Sequence, residues 1–225
     1  MIFRTEQNFT MQTILFDLDG TLVDTAPDMA SALNQTLQDF NMPSVAFQEL
    51  RPIISHGGAA LVQKGFNIDP TDPKFETYRL HFLDIYEHNL CQQSTLFPGM
   101  EDVLQRIEKH HLNWGIVTNK PEWLTLPLIE QLNLQQRAGC IVSGDTTKNR
   151  KPHPEPMLHA CKILKTVPEQ CLYIGDAERD IIAGNAANMK TLVALYGYLN
   201  IDDHPDTWNA NGMIKQSSEI LDWIS

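Results

Sequence analysis

Cationic side chains are scarce in this chain: 17 Lys and Arg stand against 28 Asp and Glu, a formal net charge of −11. Sequence-independent binding to nucleic acid or to an anionic membrane needs clustered Lys and Arg, so neither partner is expected. An anionic small molecule stays admissible, because a bound divalent cation reverses the local field. The four cysteines, Cys91, Cys140, Cys161 and Cys171, form no CxxC pair and no zinc-ligand spacing. They read as buried, reduced thiols of a cytosolic protein. No apolar run approaches the roughly 20 residues of a membrane span. The stretch "MIFRTEQNFTMQ" lacks the apolar region of a signal peptide, and Met11 offers an alternative start that would leave residues 1–10 as a loose tail. Internal repeats and low-complexity tracts are absent as well. A cytoplasmic location is the expectation by elimination.

What is present suits a globular enzyme-sized chain. With 225 residues, 42% hydrophobic and 20% charged, there is material for one large domain or two smaller ones, each with a proper core. Five short apolar or β-rich runs stand out: "TILF" at 13–16, "WGIV" at 114–117, "CIV" at 140–142, "CLYI" at 171–174 and "TLVAL" at 191–195. They lack polar alternation, which predicts strands covered on both faces. Amphipathic patterns lie between most of them: "EDVLQRIEKHHL", "PEWLTLPLIEQL", "PEPMLHACKIL" and "ERDIIAGNAANM". Strand–helix alternation of this kind predicts an α/β fold with a doubly wound parallel sheet.

The stretch 27–95 is the exception, having no convincing strand. "DMASALNQTLQDF" spaces Met29, Leu33, Leu37 and Phe40 for a helix, and "DPKFETYRLHFLDIYEHNL" does so with Phe75, Tyr78, Phe82, Ile85 and Asn89. Thr71 or Asp72 is the expected cap of the latter, with Pro73 in its first turn. A small helical domain at 27–95 is therefore expected, inserted into a core formed by 1–26 and 96–225. "TAP" at 25–27 and "LFPGM" at 96–100 are the expected linkers.

Polar residues collect after the strands. Asp17 and Asp19 follow the first, Thr118 and Asn119 the second, Ser143 and Asp145 the third, and Gly175 and Asp176 the fourth; Lys151 comes soon after the third. In an open parallel sheet these loops share one edge, where ligands bind. Residues two apart in an extended segment face the same side, so Asp17 and Asp19 both reach one ligand. Two such carboxylates repel unless a cation relieves them. Hard oxygen donors of this type suit Mg²⁺, which retains waters and substrate phosphate oxygens. The pattern points to magnesium-dependent phosphoryl transfer.

"DLDGTLVDT", then "TN" at 118–119, "KP" at 151–152 and "GDAERD" at 175–180 resemble the four ordered motifs of the haloacid dehalogenase-like (HAD) phosphatase superfamily. The resemblance spans the chain from about Thr13. It implies that Asp17 is the nucleophile, forming an aspartyl phosphate. It implies that Asp19 is general acid and then base, with its backbone carbonyl on the metal. Thr118 and Asn119 would hold phosphate oxygens, Lys151 would offset charge, and Asp176 would bind Mg²⁺, with Asp180 in support. A dehalogenase proper has no need of the second acid. A phosphorylated receiver module also uses an Asp cluster, Thr and Lys, but has no use for Asp19 or for the insertion.

The insertion resembles the helical cap of the phosphoglycolate phosphatase and phosphoglucomutase branch. Such a cap closes over the site and reads the substrate beyond phosphorus. Ser55, His56, Gly57 and Gly58 are expected at a helix N-terminus, either drawing an anion or simply turning the chain into a packing helix. "SHGG", "LFPGM", "WGIVTNKP", "KPHPEPMLHACK" and "YGYLNIDDHPDTWNANG" more closely resemble bacterial N-acetylmuramic acid 6-phosphate phosphatases. Tyr196, Tyr198 and Trp208 would offer faces to a sugar ring, or else only pack. The expected substrate is a phosphorylated amino sugar acid, with 2-phosphoglycolate as the alternative and a sugar phosphomutase third.

Overall fold

The first apolar run forms β1 (Thr13–Phe16), all four residues of which are buried, as a strand covered on both faces requires. The computed structural model describes residues 11–224, so the expected tail at 1–10 lies outside them. After β1 come β2 (Val23–Asp24), α1 (Ala26–Asp39), α2 (Phe47–Leu50), a 3₁₀ segment (Arg51–His56), α3 (Gly57–Phe66), α4 (Phe75–His88) and β3 (Thr95–Leu96). Next are α5 (Met100–Lys109), β4 (Asn113–Val117), α6 (Glu122–Gln131), β5 (Cys140–Val142) and α7 (Glu155–Leu164). The chain ends through β6 (Cys171–Gly175), α8 (Glu178–Ala186), β7 (Lys190–Ala194) and β8 (Gly212–Ile214).

Six strands form one parallel sheet in the order β5-β4-β1-β6-β7-β8. The chain leaves β1 towards β4 and β5 on one side, then returns to β6 on the other. The strand order thus reverses at β1, which is where an open sheet leaves a crevice for ligands. Register sharpens this: Phe16 is level with Ile116 of β4 and with Ile174 of β6. Asp17, Thr118 and Asp176 consequently emerge together at the same rim.

The five expected strands are present, within a residue or so of their predicted bounds. β8 is an addition, since the segment after "TLVAL" reads as a loop. It has three residues at the sheet edge, with Met213 47% exposed, too little for a periodic signal.

Between β2 and β3 every described element is helical. These two short strands pair antiparallel, Val23 with Leu96 and Asp24 with Thr95, and so frame the insertion. The expected linker at 25–27 is the start of α1 itself, with Pro27 in its first turn. The second connection runs ahead of β3 and is pinned to α1. Asp28 accepts hydrogen bonds from the Gln93 and Ser94 N–H groups (2.9 Å each) and from the Ser94 hydroxyl (2.6 Å). Asp72 does not cap α4 directly; it accepts from the Lys74 N–H at 2.8 Å, and the helix begins at Phe75 beyond Pro73.

Candidate active site

Asp17 is the first residue past β1 and is buried at 2% exposure. Its Oδ1 accepts from the Leu18 N–H at 2.7 Å and lies 2.9 Å from Lys151 Nζ. Lys151 is wholly enclosed. Its ammonium also meets Asp180 Oδ1 at 2.7 Å and donates to the Tyr173 hydroxyl at 2.9 Å. Tyr173 passes its own proton to the Val117 carbonyl (2.9 Å). The ammonium is thus fixed by three oxygens on two neighbouring strands and on α8.

Asp176 follows β6 and is equally buried. Its Oδ2 accepts from the Tyr198 N–H (2.9 Å) and from the Ser55 hydroxyl (2.7 Å). Burial, with Asp17 and Asp180 beside it, pushes Asp176 up to about 7. Burial raises Asp180 too, against the pull of Lys151. One oxygen each of Asp17, Asp176 and Asp180 lies within 4.8 Å of the others. Buried hard donors lacking sufficient counter-charge are what a small divalent cation fits. Asp180 supplies the third carboxylate beside Asp17 and Asp176; Asp19 is expected on the metal through its backbone carbonyl, and its carboxylate turns to Thr25 and Lys120.

Asp19 Oδ1 accepts from the Thr25 hydroxyl at 2.6 Å and lies 3.2 Å from Lys120 Nζ. Lys120 is buried and also donates to the hydroxyl of Tyr86, on α4 of the insertion, at 2.8 Å. Burial opposes its charge, but the Asp19 carboxylate and Tyr86 outweigh that and hold the Lys120 pKa above the ordinary lysine value. Arg179 lies between the acids. Burial works against its charge as well, yet Asp180, Asp17 and Asp176 raise it. Its Nη2 donates to the Ser55 carbonyl at 2.7 Å, while its buried Nε has no partner among the described residues.

Thr118 sits next to these groups at 3% exposure; its Oγ1 accepts from the Lys120 N–H (3.1 Å), which leaves the hydroxyl proton for a ligand. Asn119 lines the cavity, as a phosphate-holding residue must, and also braces the loop that carries Lys151. Its side-chain amide donates one N–H to the Lys151 carbonyl (3.0 Å) and its oxygen accepts from the Lys151 N–H (3.1 Å), which leaves the second amide N–H for a ligand.

A cavity of about 620 Å³ opens above these residues, lined at its base by Asp17, Asp19, Thr118 and Lys120. His56 and Gly57 line it from the insertion, and Gly57 begins α3 with φ +83° and open space beside its Cα. Ser55 lines it too, although its hydroxyl is committed to Asp176. A second cavity of about 240 Å³ approaches Asp176 from the other side of Ser55.

Tyr196, Tyr198 and Trp208 do not line the larger cavity. Tyr198 is buried; its hydroxyl accepts from the Thr25 and Ala26 N–H groups (2.7 and 3.0 Å) and donates to Asp24 (2.7 Å). Trp208 packs with Ile181 and Val193. Tyr198 and Trp208 also border the second cavity, so both take part in packing and neither faces the larger chamber. Sequence reasoning passed over Lys120, Arg179 and Tyr86. The first two had a signal, being charged residues inside "TNKP" and "GDAERD" at the sheet rim. Tyr86 had none, since a tyrosine one turn beyond Phe82 reads as core.

A family model described as haloacid dehalogenase-like hydrolase matches residues 14–194. An N-acetylmuramic acid 6-phosphate phosphatase of Pseudomonas putida is 40% identical, over 93% of this chain and 94% of its own length. A phosphoglycolate phosphatase of Xanthomonas campestris pv. campestris is 42% identical over the same shares. A crystal structure from Haemophilus somnus 129pt, described as a predicted phosphoglycolate phosphatase, superposes with a TM-score of 0.84 at 27% identity, covering 96% of this chain and 98% of that one.

Proposed function

The chain belongs to the haloacid dehalogenase-like hydrolases and is a phosphoric monoester hydrolase, and from there we propose that it is a Mg²⁺-dependent phosphatase of N-acetylmuramic acid 6-phosphate, working through a phosphorylated Asp17. The observation that carries the reading is the buried meeting of Asp17 with Lys151 (2.9 Å), with Asp17 and Thr118 both lining the 620 Å³ cavity and Asp176 in the same acidic cluster. Residues 1–26 and 96–225 form the catalytic core in this reading, and residues 27–95 a cap that covers it.

Among the described residues, both polar partners of the Asp17 carboxylate, the Leu18 N–H and Lys151 Nζ, are on Oδ1. Oδ2 is therefore the atom offered to phosphorus. Attack forms the Oδ2–P bond and breaks the bond to the ester oxygen, which takes a proton from Asp19. Water, having lost a proton to Asp19, then opens the acyl phosphate and regenerates Asp17. Thr25 and Lys120 aim the Asp19 carboxyl, Thr118 donates to a phosphoryl oxygen, and Lys151 offsets the charge that gathers on Asp17. Mg²⁺ on Asp17 and Asp176, with Asp180 behind, would neutralise the phosphoryl oxygens. Charge supports it: with their carboxylates ionised, Asp17, Asp176 and Asp180 outnumber Lys151 and Arg179 by one, and a dication would both hold them ionised and reverse a balance that repels a phosphate dianion.

The substrate choice follows from room. A cavity of about 620 Å³ far exceeds what a two-carbon ester fills, and P. putida and Pseudomonas aeruginosa relatives carry the larger substrate in their names. 2-Phosphoglycolate is the alternative, named for the Xanthomonas relative. Each is a phosphate ester that also bears a carboxylate. Asp17→Asn should lower kcat by about four orders of magnitude with an unchanged circular-dichroism spectrum; turnover near the wild-type rate would remove Asp17 from the role. The kcat/KM ratio of the two esters on one preparation decides between substrates.

A further inference from the structure

Beyond its phosphoryl end the larger cavity runs along Phe82, Leu83 and Trp123. Trp123, in the first turn of α6, keeps 42% of its surface exposed, in contrast to the enclosed Tyr198 and Trp208. Besides Arg179, which donates to the Ser55 carbonyl, two arginines line this cavity, Arg79 and Arg150. Arg79 is already spent: it grips Glu76 at 2.6 and 2.8 Å. Arg150 is not. Its guanidinium has no ion pair or hydrogen bond among the described residues, and Asp145, the acid on the same wall, takes the Glu122 N–H instead (2.8 Å). The loop that delivers Lys151 to the nucleophile thus delivers, one residue earlier, an uncompensated guanidinium to the same cavity.

We propose that this outer region is a subsite for a ring-sized group bearing a carboxylate, with Arg150 pairing the carboxylate and Trp123 covering the ring. The proposal rests on the phosphatase reading above and deepens it. A guanidinium presents parallel N–H groups that match a carboxylate's two oxygens, which a lysine at the same place cannot copy. An indole beside it removes an apolar ring face from water and shields the pair from competing solvent. A phosphate deep in the cavity and a carboxylate near its mouth then fix both ends of the substrate, so that the ester bond is presented to Asp17 in one orientation.

The test compares N-acetylmuramic acid 6-phosphate with N-acetylglucosamine 6-phosphate, the same phosphorylated sugar without the carboxylate-bearing ether. The wild type should favour the acid, and Arg150→Gln should cut the kcat/KM ratio of acid to neutral sugar roughly 10- to 100-fold. Arg150→Lys should restore part of it. Trp123→Ala should raise KM for both sugars and change their ratio far less. Arg150 makes no side-chain bond that its replacement would break, so folding is not at stake. A wild-type ratio near one, or a ratio that Arg150→Gln leaves within about twofold, overturns the subsite while turnover of p-nitrophenyl phosphate keeps the phosphatase reading intact. Failure to hydrolyse any ester, p-nitrophenyl phosphate included, sinks the phosphatase reading and the subsite with it.

Discussion

Gly20 closes the first loop with φ +86°, and a Cβ there would collide with the Asp176 carboxylate and press on the Tyr198 ring. The backbone must come this close for the loop after β1 and the loop after β6 to share one ligand. Gly20→Ala should therefore lose roughly 1–3 kcal/mol of stability from strain and weaken Mg²⁺ binding at least tenfold, as read by isothermal titration. Undiminished affinity would mean that Asp176 tolerates displacement. The two aspartates of "DLDG" announce themselves in the sequence, because alternating acids after an apolar strand need a reason. The reason for the glycine is hidden, since its obstacle lies far along the chain. Asn119 shows the same limit from the other side: its type suits phosphate, and only the fold reveals that its amide also braces the Lys151 backbone through one N–H and its oxygen.

At the scale of elements, α1 and the chain entering β3 are stitched by one carboxylate. Asp28→Ala would strand the Gln93 and Ser94 N–H groups and the Ser94 hydroxyl. Urea unfolding should register a loss of about 2–4 kcal/mol; a change below about 0.5 kcal/mol would show that water satisfies these donors instead. Tyr86 ties α4 to the core through Lys120, so Tyr86→Phe should reduce kcat severalfold while leaving unfolding free energy nearly constant, by loosening the ammonium that aims Asp19. Equal kcat would assign the hydroxyl to packing alone. Strands β1, β4, β5, β6 and β7 were legible because each contains an unbroken apolar or β-rich run. β8, no shorter than the opposite edge strand β5, escaped because it starts on a glycine and exposes Met213, and the helix start at Phe75 escaped because Asp72 and Pro73 serve equally well in a turn ahead of it.

For the whole molecule, the acidic cluster at the rim is what supports the proposed Mg²⁺ dependence. Chelation by EDTA should abolish turnover and added Mg²⁺ restore it. Ca²⁺ should inhibit, because it takes about 6–8 oxygens at longer distances and spoils an octahedral seat; equal rates with either ion would argue against the assigned ligands. Among the described residues no helix is long and apolar enough to cross a membrane. The fold class was readable at this scale, but the working surface was not: Trp123 and Arg150 line one cavity with Phe82 and Leu83 of α4, far from them in sequence, and nothing local marks that encounter. Ser55 carries one more implication. It borders both chambers, with its hydroxyl on Asp176 and its carbonyl on Arg179. His56 and Arg179 border both as well, so these three residues form a bulkhead between two chambers, one of about 620 Å³, the other of about 240 Å³ and acidic through Asp176, Glu178 and Asp203. Ion and ester need not queue for the same passage, and rapid-mixing experiments should find that either can load first.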